Sequence, residues 1–169
     1  MIAFLLLAHA SLTAIGEPAP VANMPSGQWA TVRIEPSFAE IHTEIVIGTL
    51  RYDRERKQLD FWMRREDRDR QGGSLSVRWA DSRKCAPMRA AIGAMREIGP
   101  MQIDPPDPHA DLVVTADGTL YTLEAPGRYA NGHAGTIKIH ANVRTPLAGW
   151  AERLQSDMVN CWTAKAPSA

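Results

Sequence analysis

The pattern of apolar and polar residues changes its period along the chain. From Gln28 onward, apolar side chains recur at every second position, which is the period of a strand with one buried face. This alternation predicts four strands, at residues 28–35, 40–52, 58–65 and 74–81. The charged stretch DRERK, residues 53–57, suits an exposed turn, so the second and third strands are predicted to form a hairpin.

A helical period replaces the alternation after Pro87. The apolar positions are then Met88, Ala91, Ile92, Met95 and Ile98, three or four residues apart. Pro87 suits the first turn of a helix, where its missing N–H costs no hydrogen bond. Gly99-Pro100 predicts the end of this helix.

A similar succession of elements follows in the second half of the chain. Asp117-Gly118 supplies the positive φ of a tight turn, which predicts a hairpin over residues 110–126, and residues 136–143 alternate again. A second helix is predicted from Pro146, with Thr145 as its N-cap. Its apolar stripe comprises Leu147, Trp150, Ala151, Leu154, Met158 and Cys161.

These elements predict an α+β fold, in which an antiparallel sheet of about six or seven strands carries two helices on one face. After the first strand, the order strand–strand–strand–helix occurs twice, which suggests a βββα-βββα pseudo-repeat. A common α+β arrangement without duplication would give the same order. We expect one globular domain over residues 28–169, preceded at residues 17–27 by a linker rich in proline and small residues.

The N-terminus has features of an export signal. An apolar run from Ile2 leads into Ala8-His9-Ala10, the small-x-small form of a cleavage site, so residues 1–16 are predicted to be a signal peptide. No Lys or Arg precedes this run, and the alternative is a buried N-terminal strand or helix. The run is too short for a membrane span of about 20 residues. We therefore expect a periplasmic or secreted protein without a stable membrane span.

Charge is balanced overall but unevenly placed. The chain has 19 basic and 19 acidic residues, yet residues 51–96 carry thirteen bases and seven acids, a balance of +6. The basic stretch suggests a surface for an anionic partner. Two solvated strands whose charges offset each other would give the same composition. Nucleic acid is not expected as a partner, because the net charge is zero and no nucleic-acid-binding motif occurs.

Trp62 stands out within the basic stretch. By alternation, it falls on the face opposite the apolar side chains of its own strand. An exposed Trp flanked by Arg is the kind of group that anchors an interface. The candidate interaction surface is therefore Trp62 with Arg51, Arg64 and Arg78. The alternative is that the N-terminal strand or a loop covers this face.

The two cysteines are predicted to form a disulfide. Cys85 lies at the start of the first helix and Cys161 at the end of the second, and two antiparallel helices on one sheet would bring these positions together. Export and an even cysteine count favour the same pairing. One alternative is a reactive Cys85 thiol, activated by the helix start and by Arg83 and Lys84. Another is a metal ligand, although the chain has no CxxC or HxxxH pair.

The sequence contains no recognised catalytic motif. It has no nucleophile elbow, no HExxH and no Gly-rich phosphate loop, and neither a metal nor a cofactor is predicted. The leading hypothesis is a non-enzymatic exported protein that binds an envelope protein or an anionic ligand. The alternative is a small exported hydrolase whose site is assembled in the fold. A deep pocket lined by His109, Asp111 or His133 would favour the enzyme.

Overall fold

A computed structural model of the protein describes residues 27–99 and 118–168. These residues form one six-stranded antiparallel sheet with two helices on one face, so the predicted α+β fold is confirmed. The elements are β1 (Gln28–Pro36), β2 (Ile41–Asp53), β3 (Gln58–Asp69), β4 (Ser74–Asp81), α1 (Ala86–Ala94), a 3-10 turn (Met95–Ile98), β5 (Thr119–Arg128), β6 (Ala134–Ala141) and α2 (Pro146–Asp157).

The first strand lies inside the sheet and joins the two halves of the chain. The strand order is β4-β3-β2-β1-β5-β6, so β1 pairs with β2 on one side and with β5 on the other. The second half therefore extends the first half's sheet through β1, and the predicted pseudo-repeat is not confirmed. The strand predicted before Gly118 lies outside the described residues.

Both helices begin where the sequence predicts, with a proline in the first turn. The Thr145 hydroxyl accepts a hydrogen bond from the Ala148 amide at 3.2 Å, as an N-cap does. Helix α1 tightens into the 3-10 turn and stops at Gly99, whose φ of 82° ends regular helix. The Trp150 indole donates to the Ala91 carbonyl at 2.9 Å and ties the helices together.

The main core lies between the sheet and the helices. We call the sheet surface under α1 and α2 the helix face, and the opposite surface the outer face. The largest fully buried side chains of the main core are Val32, Ile45, Ile47, Met63, Met88, Leu147, Trp150, Leu154 and Met158. They come from both predicted helical stripes and from alternate positions of β1 to β3, as binary patterning requires.

A disulfide closes one end of the helix layer. Cys85 and Cys161 form the predicted bond, with their Cα atoms 5.5 Å apart. Cys85 is the residue directly before α1, and Cys161 follows the end of α2, so the bond joins the start of one helix to the end of the other. Both cysteines of the chain are used in this bond.

Candidate functional site

The predicted interaction surface does not form, because Trp62 is buried. Its side chain lies on the outer face, as the alternation indicates, but 0% of it is exposed. Arg64 is buried as well, whereas Arg51 and Arg78 lie at the surface. The expectation of an exposed Trp62 between arginines is therefore wrong.

Trp62 belongs to a second, smaller core on the outer face. The Trp62 and Trp79 rings lie 5.8 Å apart between centroids, and Val46 packs with them. Leu50 and Ala166 are partly buried and pack against this group. We call these five residues the tryptophan cluster. Trp79 is buried in this cluster and not under the helices.

The C-terminal tail brings Ala166 to the tryptophan cluster. Trp79 and Thr163 form an antiparallel bridge with N–H···O distances of 2.7 and 2.8 Å. The Arg83 guanidinium donates to the Ser168 carbonyl at 2.7 Å. The tail thus runs along the edge of β4 after the disulfide. This contact covers the face that local alternation would leave in water.

Most charges of the basic stretch are paired within the fold. Glu66 accepts from Arg64 at 2.7 Å and from Arg68 at 3.0 Å, and the Arg64 guanidinium lies 6.0 Å from the Trp79 ring centroid. Burial raises the pKa of Glu66, but the hydrogen bonds from Arg68 and Arg64 outweigh it, so this pKa lies below its ordinary value. These pairs support the alternative that the stretch offsets its own charge.

A cleft opens on the helix face beside α1. Helix α1 and the 3-10 turn form one wall, β5 and β6 form the other, and the ends of β1 to β3 form the floor. Its volume is about 1040 Å³. The apolar lining consists of Trp29, Leu59, Phe61, Ile92, Met95, Ile98, Leu123, Ala125, Pro126, Ile137 and Ile139.

Within the described parts of the chain, the helix layer is smaller than the sheet. At about 3.4 Å per residue, the 13 residues of β2 extend over roughly 44 Å. At about 1.5 Å per residue, the nine residues of α1 extend over only roughly 14 Å. Among residues 27–99 and 118–168, the short first helix therefore leaves part of the apolar sheet face without a covering layer.

Aromatic side chains form the floor of the cleft. Trp29 stands at an irregularity of β1, where the register against β2 shifts between Gln28 and Ala30. Its ring meets the Phe61 ring edge-on, with centroids 6.4 Å apart. On the sheet wall, Ile137 lies over Gly127 and is 45% exposed. A contiguous apolar surface of this kind that is not fully covered is typical of a binding site.

Three arginines are the charged groups among the described lining residues. The Arg89 guanidinium forms an ion pair with the buried Asp60 carboxylate. Arg96, on the 3-10 turn, and Arg128, at the end of β5, are exposed. Within residues 27–99 and 118–168, no carboxylate lies within ion-pair distance of either. The described cleft lining is therefore cationic.

The described lining offers little for catalysis. Thr49 supplies the one hydroxyl among these residues, and they include no carboxylate, imidazole or thiol. His133 is exposed in the turn between β5 and β6 and is not among the described lining residues. His109 and Asp111, the other residues of the hydrolase hypothesis, lie outside the described residues. In the part of the chain that can be described, no three His, Cys, Asp or Glu side chains cluster as metal ligands.

The cysteine alternatives are settled by the bond itself. Cys85 is 3% exposed and its sulfur is joined to that of Cys161. A disulfide sulfur is neither a thiolate nucleophile nor a metal ligand. Cys85, for which a reactive thiol was the alternative, is therefore half of a covalent link between the two helices.

Sequence reasoning missed the cleft because its residues have the signature of a core. Ile92 and Met95 follow the apolar stripe of the first helix, and Ile137 and Ile139 alternate with polar neighbours in β6. Periodicity shows which face is apolar and not whether another element covers that face. The one available signal is length, since the predicted helix is short for the sheet beneath it.

No helix in the described segments has both the length and the apolar character needed to cross a membrane. The sequence matches no protein-family model, and comparison with curated proteins and with solved structures gives no significant match.

Proposed function

We propose that this protein is an exported, non-enzymatic binding protein that holds the apolar part of a ligand in the cleft beside α1. The cleft itself carries the proposal. Its volume of about 1040 Å³ is at the upper end of the range of about 300–1,000 Å³ that is usual for ligand sites. Its walls are mostly apolar, with a few polar groups, as such sites require.

The lining chemistry supports binding over hydrolysis. A hydrolytic site needs a nucleophile or an activated water and a group that moves a proton. Thr49 has no base among the described lining residues, and arginine stays protonated at ordinary pH. These side chains can hold and orient a ligand.

The disulfide supports an exported location. Cys85 and Cys161 are bonded, and such bonds persist in the periplasm and outside the cell but are rare in the reducing cytosol. The predicted signal peptide at residues 1–16 indicates the same compartments. A binding protein in these compartments needs a scaffold that is stable in an oxidising medium, and the disulfide contributes to that stability.

The test is binding of the neutral dye N-phenyl-1-naphthylamine, whose fluorescence rises in apolar surroundings. We expect saturable 1:1 binding to the wild-type protein. Gly93 lines the cleft, and a Cβ built there meets no atom within 4 Å, so we expect the ring of Gly93→Phe to occupy part of the cleft. We expect this variant to bind the dye at least about tenfold more weakly, a loss of about 1.4 kcal/mol.

Gly149→Phe is the matched control. Gly149 also lies in a helix, α2, and is outside the cleft, with only the end of the Arg153 side chain near its Cβ position. This variant should bind like the wild type. Absence of saturable binding by the wild type, or equal binding by Gly93→Phe, would contradict the proposal.

A further inference from the structure

We infer that the ligand of the cleft is an elongated molecule with a straight hydrocarbon chain of about fifteen carbons, which lies across the strands and along α1. This inference rests on the proposed binding function and adds the chemical class of the ligand. It follows from the shape of the cleft, which is set by a row of side chains across the sheet and by one side of α1.

The sheet side of the cleft is a row of side chains that crosses the strands. Five adjacent strands contribute to it, in the order β3-β2-β1-β5-β6. Phe61 of β3 is the direct partner of Thr49 of β2, and Ala125 of β5 is the direct partner of Ile137 of β6. Trp29 lies between these two pairs, on β1. Neighbouring strands are about 4.8 Å apart, so the four spacings give the row a length of about 19 Å.

Helix α1 and the 3-10 turn that follows it run along the cleft. The lining positions Arg89, Ile92, Gly93 and Arg96 are separated by three or four residues or are neighbours, so they form one side of the helix over its length. The Arg89 guanidinium donates to the Leu59 carbonyl, which fixes the first part of α1 at β3. The helix therefore forms a long wall that starts at one end of the row.

Side chains at both ends of the row are partly exposed to water. Leu59, on β3, is 43% exposed, and Ile137, on β6, is 45% exposed. Both line the cleft. A polar head group at either end of a bound chain can therefore stay in water while the chain itself is buried.

The shape of the cleft favours a straight chain over a compact molecule. A compact molecule would cover one part of the row and leave the apolar side chains of the rest in water. An extended hydrocarbon chain advances about 1.25 Å per carbon, since a C–C bond is about 1.5 Å long, so about fifteen carbons reach from β3 to β6. Each CH₂ that the cleft buries should raise the affinity about fourfold.

Displacement of N-phenyl-1-naphthylamine by straight-chain carboxylates, from hexanoate to octadecanoate, tests this at pH 8 and below their micelle concentrations. The head group is the same throughout the series, so only the chain length varies. We expect the dissociation constant to fall about fourfold for each added carbon through dodecanoate and to level off near fifteen carbons. A constant that stops falling before dodecanoate, or that still falls at octadecanoate, would overturn the inference, while the dye binding itself upholds the proposed function.

Gly93→Phe tests whether the chain lies along α1. Gly93 is midway along the helical wall, so a ring there interrupts the path of a long chain, whereas an eight-carbon chain still fits in one half of the cleft. Measured by isothermal titration calorimetry, Gly93→Phe should weaken tetradecanoate binding at least about tenfold more than octanoate binding. Gly149→Phe, outside the cleft, is the matched control and should bind both like the wild type. Equal weakening of both chain lengths by Gly93→Phe would show a compact pocket and overturn the inference.

Discussion

The indole of Trp62 occupies the space that a side chain at position 48 would need. Gly48 and Trp62 are direct partners in the pairing of β2 with β3. A Cβ built on Gly48 would lie 2.2 Å from the Trp62 ring. Trp62 can therefore lie flat against the outer face only because residue 48 is glycine, and the tryptophan cluster depends on this pair.

Gly48→Ala should destabilise the protein. The neighbouring atoms belong to a fully buried indole that has no room to move, and overpacking of this kind costs about 1–3 kcal/mol. Urea unfolding followed by circular dichroism measures the change. Gly93→Ala is the matched control, because open space and helical backbone there predict a gain of about 0.5–1 kcal/mol. A Gly48→Ala protein as stable as the wild type would contradict the packing described.

Loss of the disulfide should lower the free energy of unfolding by about 4 kcal/mol. The bond joins residues that are 76 positions apart, and a closed loop of that length reduces the entropy of the unfolded chain by about this amount. Urea unfolding of the wild type with and without dithiothreitol gives the difference. Cys85→Ala with Cys161→Ala should match the reduced wild type and be insensitive to dithiothreitol. If dithiothreitol reduces the bond and the free energy of unfolding of the wild type does not change, the prediction is wrong.

A charge placed against the tryptophan cluster should loosen the C-terminal tail. Ala166 packs against the tryptophan cluster, so Ala166→Asp would bury a carboxylate without a partner or push the tail away. We expect a loss of about 1–3 kcal/mol and a red shift of tryptophan fluorescence. Ala164→Asp makes the same change at an exposed position two residues earlier and should have little effect. Equal effects at both positions would show that the tail does not cover the cluster.

Stability should fall as the pH drops below about 4. Burial raises the pKa values of three carboxyl groups, those of Glu66, Asp67 and Asp81, but hydrogen bonds to each group lower its pKa by more. The main donors are Arg68 to Glu66, Thr43 to Asp67 and Arg83 to Asp81. Each pKa is therefore lower in the folded chain than the ordinary carboxyl value of about 4. The unfolded chain then takes up protons first, so the stabilisation is present above pH 4 and is lost below it.

Urea unfolding at pH 7, 5 and 3 checks this dependence. Glu66→Gln should be less stable at pH 7, because Arg64 stays buried with a weaker partner, and should lose less between pH 5 and pH 3. Glu55→Gln, in the exposed turn after β2, should follow the wild-type curve. If the stability of Glu66→Gln falls between pH 5 and pH 3 as much as that of the wild type, Glu66 does not contribute to the pH dependence.

Much of the fold was predictable from local pattern. The alternation of β1 to β3, the Thr145 cap and the starts of both helices each depend on residues close in sequence and are found as predicted. In β4 the alternation misleads, because Leu75 and Val77 are exposed and Trp79 is buried on the outer face. The disulfide was predictable too, because Cys85 directly precedes one helix, Cys161 follows the end of the other, and antiparallel packing of the helices brings these positions together.

The site was not predictable in the same way. Alternation correctly assigns Trp62 to the outer face, but its burial depends on Gly48 across the strand pair and on Ala166, about a hundred residues away in the chain. The cleft shows the opposite error. The sequence pattern predicts Ile92 and Ile137 to be core residues, but in the structure they line a partly open wall.

The sequence by itself determined which faces of the strands and helices are apolar, where the helices begin and which cysteines pair. These properties follow from backbone geometry, which repeats every two or 3.6 residues. Only the tertiary structure decided which apolar faces are covered. Coverage depends on the relative size of the helix layer and the sheet and on where the tail passes, and both are set by contacts between distant parts of the chain. Trp62 is therefore buried on the face predicted to be open, and the apolar surface that the described residues leave open lies beside α1.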